Sequence, residues 1–202
     1  MSVTRSFLFW CLIASVLPLG ACVRQGGGEV EVLRSGELRY SAHDANIAKV
    51  VYVAVRDKTD HLFGLRSDIE AAARVKGFIV TDNPSKAGYV VQVTTLAAGV
   101  TSPDNLRDLV SAGYGAPSDF FGGGATALLA DILLAQRRVP VSGQKKLKSI
   151  SSRSAVASNQ MRLGLLVRRE FRMDAGVPQG FKDALVRELD ATISGTNSDP
   201  AN

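Results

Sequence analysis

The chain has 202 residues, with Lys+Arg 24 against Asp+Glu 19 and a formal net charge of +5. So small a basic surplus, without interleaved aromatic residues, argues against a nucleic-acid partner. The cysteines, Cys11 and Cys22, are too few for a disulfide framework or a cysteine metal site.

The first segment, residues 1–21, has the form of an export signal. Arg5 is its only charge, and the apolar run FLFWCLIASVLPL (7–19) follows. That run is shorter than the roughly 20 residues a spanning helix needs. It ends in Leu19-Gly20-Ala21-Cys22. Two small residues fit the narrow cleft of a signal peptidase, and the Cys22 thiol is the nucleophile that takes a diacylglycerol. The competing reading is an ordinary secretory signal cleaved after Ala21. Val23 and Arg24 follow the cysteine with no Asp, which points to the outer rather than the inner membrane. The expected cofactor inventory is therefore empty apart from the covalent lipid on Cys22. Residues 22–28, with Gly26-Gly27-Gly28, form a flexible tether.

Residues 29–195 are expected to fold as a single domain, since about 175 residues suffice for an ordinary core. Within it, 29–40 (EVEVLRSGELRY) reads as one strand or as two broken at Gly36. The β-branched run VVYVAV (50–55) predicts a buried strand. Residues 64–76 put Leu65, Ile69, Ala72 and Ala73 on one helical face. Ser67 and Glu70 have capping-box spacing, although Leu65 suggests an earlier start. Gly77 closes the helix. A short strand at 78–81, a turn at Asp82-Asn83-Pro84 and a strand at 89–96 complete a β-α-β-β unit.

Residues 106–136 form a Gly/Ala-rich apolar insert, with Gly113, Gly115 and Gly122-Gly123-Gly124 around Phe120-Phe121. It predicts two apolar helical arms bent near 117–124. Asp108, Asp119 and Asp131 interrupt the uncharged stretches, and a charge at bilayer depth costs a few kcal/mol. The expectation is therefore a surface-lying or oligomer-packed hairpin, or else an amphipathic helix of the ordinary core. Small residues permit close helix approach. Gly113, Phe120, Phe121, Gly122, Gly123 and Ala127 are thus the expected oligomer or membrane contacts.

The positive charge then gathers in Arg137, Arg138, Lys145, Lys146, Lys148 and Arg153. This stretch is either a contact for anionic headgroups or lipopolysaccharide, or a solvated face. Residues 146–157 and 161–173 predict a strand pair turning at Ser158-Asn159. Residues 178–193 place Phe181, Leu185, Leu189 and Ile193 four apart, as in an amphipathic helix. Residues 196–202 read as a frayed tail. The fold class is α+β: a β-α-β-β unit, an apolar helical insert, a strand pair and a C-terminal helix.

Nothing in the pattern assembles an active site. His43 and His61 lie in polar loops, no HExxH spacing occurs, and Gly122-Gly123-Gly124 lacks the Lys-Ser/Thr of a phosphate loop. Glu29/Glu31 and Glu188/Asp190 suit a strand edge and a helix face.

The order lipidated cysteine, tether, β-α-β-β, apolar insert, strands and terminal helix resembles the TraT family of outer-membrane lipoproteins. The resemblance is carried chiefly by VVYVAVRDKTD and by GLRSDIEAAARVKGFIVTDNPSKAGYVVQV, within residues 50–96, with its Pro84-Ser85-Lys86-Ala87 turn. Residues 29–40, Gly113-Tyr114 and the closing helix agree more loosely. It implies a non-catalytic, self-associating envelope protein of surface exclusion and complement resistance, facing outward. Its partners would be the bilayer, further copies and an envelope or mating-apparatus protein. The insert here is shorter and more charged than the family's, and 136–154 is more basic. The other reading, from the shortened insert, is a periplasm-facing adaptor in envelope or secretion-machinery assembly.

Overall fold

The computed structural model describes residues 29–38, 47–137, 155–170 and 177–194. The signal, Cys22, the tether, His43, the basic stretch 138–154 and the tail lie outside the described residues. Six strands form one mixed sheet in the order β1-β6-β5-β4-β2-β3. They are β1 (Glu31–Arg34), β2 (Val50–Asp57), β3 (Ile79–Val80), β4 (Tyr89–Thr101), β5 (Ala125–Arg137) and β6 (Ala155–Val167). Three helices join them: α1 (Leu65–Val75), α2 (Pro103–Ser111) and α3 (Gln179–Ser194). The fold is α+β. Strands β3, β2 and β4 run parallel, and β4, β5, β6 and β1 alternate in direction.

Helices α1 and α3 cover one face. Leu65, Ile69, Phe181, Leu185 and Leu189 bury there against Val51, Val53, Val91, Val93, Leu128, Ile132 and Leu163. The two helices are clipped together by Lys182–Asp68 (2.8 Å) and Lys76–Asp190 (3.3 Å). Both therefore start at the same end of the sheet. α1 begins after Gly64 in a left-handed conformation, with no side-chain cap. Ser67 instead donates its hydroxyl to the Gly64 carbonyl, so the capping box is not formed. Gly77 (φ 80) ends the helix as expected.

Helix α2 covers the other face. Its Leu106 and Val110 pack on Ala125, Ala127, Leu129 and Leu166. Ser102 caps it by accepting from the Asn105 N–H, with Pro103 in the first turn.

Two expectations fail. The apolar insert is not a pair of helical arms, because its second half is the central strand β5. β5 is covered on both faces, so its side chains are apolar almost without a break. Such a run does not distinguish a buried strand from a helix. The strand pair turning at Ser158-Asn159 is likewise one strand, β6. Ser158 and Asn159 pair with Ala135 and Leu134 in mid-ladder. β1 is shorter than the segment read for it, and β4 runs five residues past Leu96 to Thr101.

Candidate functional site

The connection from α2 to β5, residues 112–124, carries most of the residues singled out in the insert. Two polar clusters hold it to the sheet. The first lies at its start. Arg162, fully buried, is directly opposite Asp131, which is 6% exposed. Arg162 Nε and Nη2 donate to Asp131 Oδ1 (2.7 Å) and Oδ2 (3.1 Å). The remaining guanidinium hydrogens go to the carbonyls of Ala116 (2.8 Å), Pro117 (3.0 Å) and Leu109 (3.3 Å). Gly115 N–H donates to Asp131 Oδ2 (2.9 Å). All five guanidinium donors are thus used, as a buried arginine requires. Asp131, read in the sequence as one of three charges that interrupt the insert, is an internal staple.

The second cluster lies at the loop's end. Phe121 N–H donates to Asn105 Oδ1 (3.0 Å), and its carbonyl accepts from Ser102 N–H (2.9 Å) and the Thr101 hydroxyl (2.9 Å). Thr101 is fully buried. The Phe121 backbone is held three ways, yet 66% of the residue remains exposed. Beyond it, the Gly124 N–H donates to Glu170 Oε1 (2.7 Å). α2 approaches so closely because β6 has Gly164 beneath it. A Cβ there would lie 2.7 Å from Val110 Cγ2 and 3.2 Å from Leu106 Cγ.

The expected contact residues separate on this frame. Gly113 (φ 83) closes α2 as Gly113 N–H donates to the Val110 carbonyl. Phe120 is half-buried against the α2 core. Gly122 (φ 80) presses on Ser102, and Gly123 faces Glu170. Phe121, Gly122 and Gly123 are exposed, whereas Ala127 is fully buried within β5 and offers no surface. Of the basic residues, Arg137 is described. It is half-buried and donates to the Pro84 carbonyl. Arg138, Lys145, Lys146, Lys148 and Arg153 lie outside the described residues.

A further anchor went unread in the sequence. Asp57, at the end of β2, accepts from Thr59 and Thr95 hydroxyls and from the Thr59 and Leu62 N–H groups. Burial pushes its carboxyl upward, but the hydrogen bonds from Thr59, Thr95 and Leu62 outweigh it and hold the pKa at about 2. Asp57-Lys58-Thr59-Asp60 is legible as a polar turn, but its cross-strand partner Thr95 is not.

No group of metal-binding side chains occurs among the described residues. None of the described helices is long and apolar enough to cross a membrane. A family model described as Enterobacterial TraT complement resistance protein matches residues 44–161. The chain belongs to the TraT family. The match spans β2 through β5 and enters β6, so it includes the whole α2–β5 connection. TraT-family membership makes this a non-catalytic, lipid-anchored protein of the outer membrane.

No curated protein matches the TraT-family chain. Among solved structures it is similar to a PelC dodecamer from Paraburkholderia phytofirmans: TM-score 0.39, 11% identity, covering 83% of this chain and 96% of that one. A DUF4136 family protein from Bacteroides thetaiotaomicron gives TM-score 0.34 and 12% identity, covering 82% and 94%. A minor lipoprotein from Acinetobacter baumannii gives 0.25 and 11%, covering 74% and 86%. Likeness of this extent bears on neither assembly nor partners.

Proposed function

We propose that this protein acts in surface exclusion during conjugation and in resistance to complement, as a self-associating lipoprotein facing outward. The observation that carries the reading is the family match across 44–161, which takes in both the β2–β4 half and the α2–β5 connection. The mechanism is binding and obstruction. The lipid on Cys22 retains the protein, and the sheet with its helices supplies a rigid body. Gly113, Phe120, Phe121, Gly122 and Gly123 line the loop through which protomers meet. Arg137, with Arg138, Lys145, Lys146 and Lys148, meets anionic headgroups or lipopolysaccharide.

Labelling intact cells with a membrane-impermeant amine reagent tests the outward orientation, with a periplasmic protein as the leakage control. The expected result is a labelled lipoprotein and an unlabelled control. A paired mating assay tests the role: deleting the gene should raise DNA entry from donors carrying the cognate element. Protection from label in intact cells, with unchanged mating, would overturn the reading.

A periplasm-facing adaptor is favoured by one observation. The edge strand β3 leaves Ile79 68% exposed, beside Val75 at 84%. A short edge flanked by apolar side chains suits an added strand from a partner protein. Protection from label, together with crosslinking through residue 79, would be its signature.

A further inference from the structure

The two faces of the sheet are covered unequally. Toward α1 and α3, alternate residues of β2 and β4 are fully buried, among them Val51, Val53, Val91 and Val93. The residues between them point to the α2 side and are only half-buried. The register sets them in rows that cross β2, β4, β5 and β6. Tyr52, Val90, Ala135 and Ser158 form one row, and Ala54, Gln92, Leu133 and Gln160 the next. The third row is Arg56, Thr94, Asp131 and Arg162. There the α2–β5 connection reaches the sheet, through Gly115, Ala116 and Pro117. Neither buried cluster of the described residues includes Tyr52, Ala54, Val90, Leu133 or Ala135. Burial along β5 changes at the same place, unbroken through Ile132 and alternating from Leu133 onward. The first two rows are therefore a recess on the α2 side, apolar at its middle and free of charged side chains.

Beside the recess stands a step, made of α2 and its connection to β5. It holds out Tyr114 at 38% and Phe121 at 66% exposure. Its Asp108 and Asp119 are exposed and make no ion pair among the described residues. The recess has the opposite charge at its rim. Arg56 stands at one end, and Lys49 and Lys86 at the other, where β2 and β4 begin. All three are exposed and equally without an ion pair among the described residues. By contrast, Arg34, Arg66, Arg74, Arg107 and Arg168 each meet a carboxylate of their own chain. The unmatched acids thus gather on the step, and unmatched bases gather around the recess.

We propose that the recess seats the α2–β5 step of a second copy, with Tyr114 and Phe121 over the two open rows and Asp108 and Asp119 toward the basic rim. This rests on the self-association reading and names the surface that the loop meets on the next protomer. The occupant is a copy of this chain because the step supplies what the recess lacks: an apolar cover and acids for Arg56, Lys49 and Lys86. Step and recess are different surfaces, so each copy gives and receives at once, as in a heterologous contact. The apolar rows supply the attraction, and the charges select the partner and its register. The contact makes no use of Arg137 or of the stretch after it.

With Cys11 removed with the signal and Cys22 acylated, an introduced cysteine is the one free thiol of its copy. Two differently tagged copies of the full chain are co-expressed, one carrying Ser118→Cys on the step and the other Gln160→Cys on the recess. The purified lipoprotein is checked for folding by circular dichroism, its native mass is measured, and it is treated with a short bis-maleimide. The expected result is an oligomer in which the two tags are joined. The yield should be severalfold above that of Ser118→Cys with Val75→Cys, a position on α1. Adding Asp119→Lys to the Ser118→Cys copy should lower the yield severalfold. An oligomer that joins Ser118→Cys copies only to one another, or equally to Gln160→Cys and Val75→Cys, would overturn the seat and leave self-association standing. So would a yield indifferent to Asp119→Lys. A native mass of one chain at every concentration would remove self-association itself, and the seat with it.

Discussion

Asp131 and Arg162 face each other across β5 and β6, and the pair fastens the α2–β5 connection by two carbonyls and one N–H, and α2 itself by the Leu109 carbonyl. Asp131→Ala would leave a buried guanidinium without its counter-charge, at a cost of about 3–5 kcal/mol. Asp131→Leu with Arg162→Met should lie closer to the natural protein than Asp131→Ala does, because no uncompensated charge remains. Urea unfolding of the natural protein and these variants checks the ordering, and a double change costing more than Asp131→Ala would contradict it.

Gly164 is the contact that sets how near α2 comes to the sheet. Gly164→Ala puts a methyl against Val110 and Leu106, an overpacking worth about 1–3 kcal/mol. α2 should lift, and faster exchange of the Gly115 amide would show the connection loosening with it. A thermal midpoint equal to the natural protein's would mean the helix moves aside at no cost.

Asp57 ties stability to acid. Its folded pKa of about 2 lies below the ordinary carboxylate value of about 3.9, so the folded state binds its proton less readily. The resulting stabilisation is complete above pH about 4 and is lost as pH falls toward 2. Asp57→Asn should lower stability at neutral pH by about 1 kcal/mol and flatten this part of the acid limb. Unfolding curves collected from pH 7 to about 2 test both effects.

Gly123 is exposed, and a side chain there would meet the carboxylate end of Glu170 rather than backbone. Gly123→Leu should therefore leave the monomer folded while breaking the proposed assembly. Native electrophoresis reads the result, and an unchanged oligomer mass would refute the contact.

Helices α1 and α3 and strands β2 and β4 were the legible elements. α1 and α3 each bury one stripe, so Ile69 and Ala73, or Phe181, Leu185 and Leu189, recur at helical spacing. β5 lacks a solvent face, and the alternation that would have marked it as a strand is erased. Asp131 illustrates the same loss. Alone in an apolar run it resembles a barrier to burial, and only the partner thirty-one residues later makes it an interior residue. At the candidate site, Phe121 and Gly122-Gly123-Gly124 were legible as a loop of unusual composition. The clamps that fix them, Thr101 and Asn105, precede α2 or lie within it and carry no local signal.

Strand β1 stands next to the last strand, β6, although it opens the described body. During synthesis and export the anchored end appears first, but its hydrogen-bonding partner appears almost last. The sheet can zip through β4 and β5 while β1 waits unpaired. Such distant pairings are slow to close. Strand β1 is therefore the last of the described strands to join the sheet.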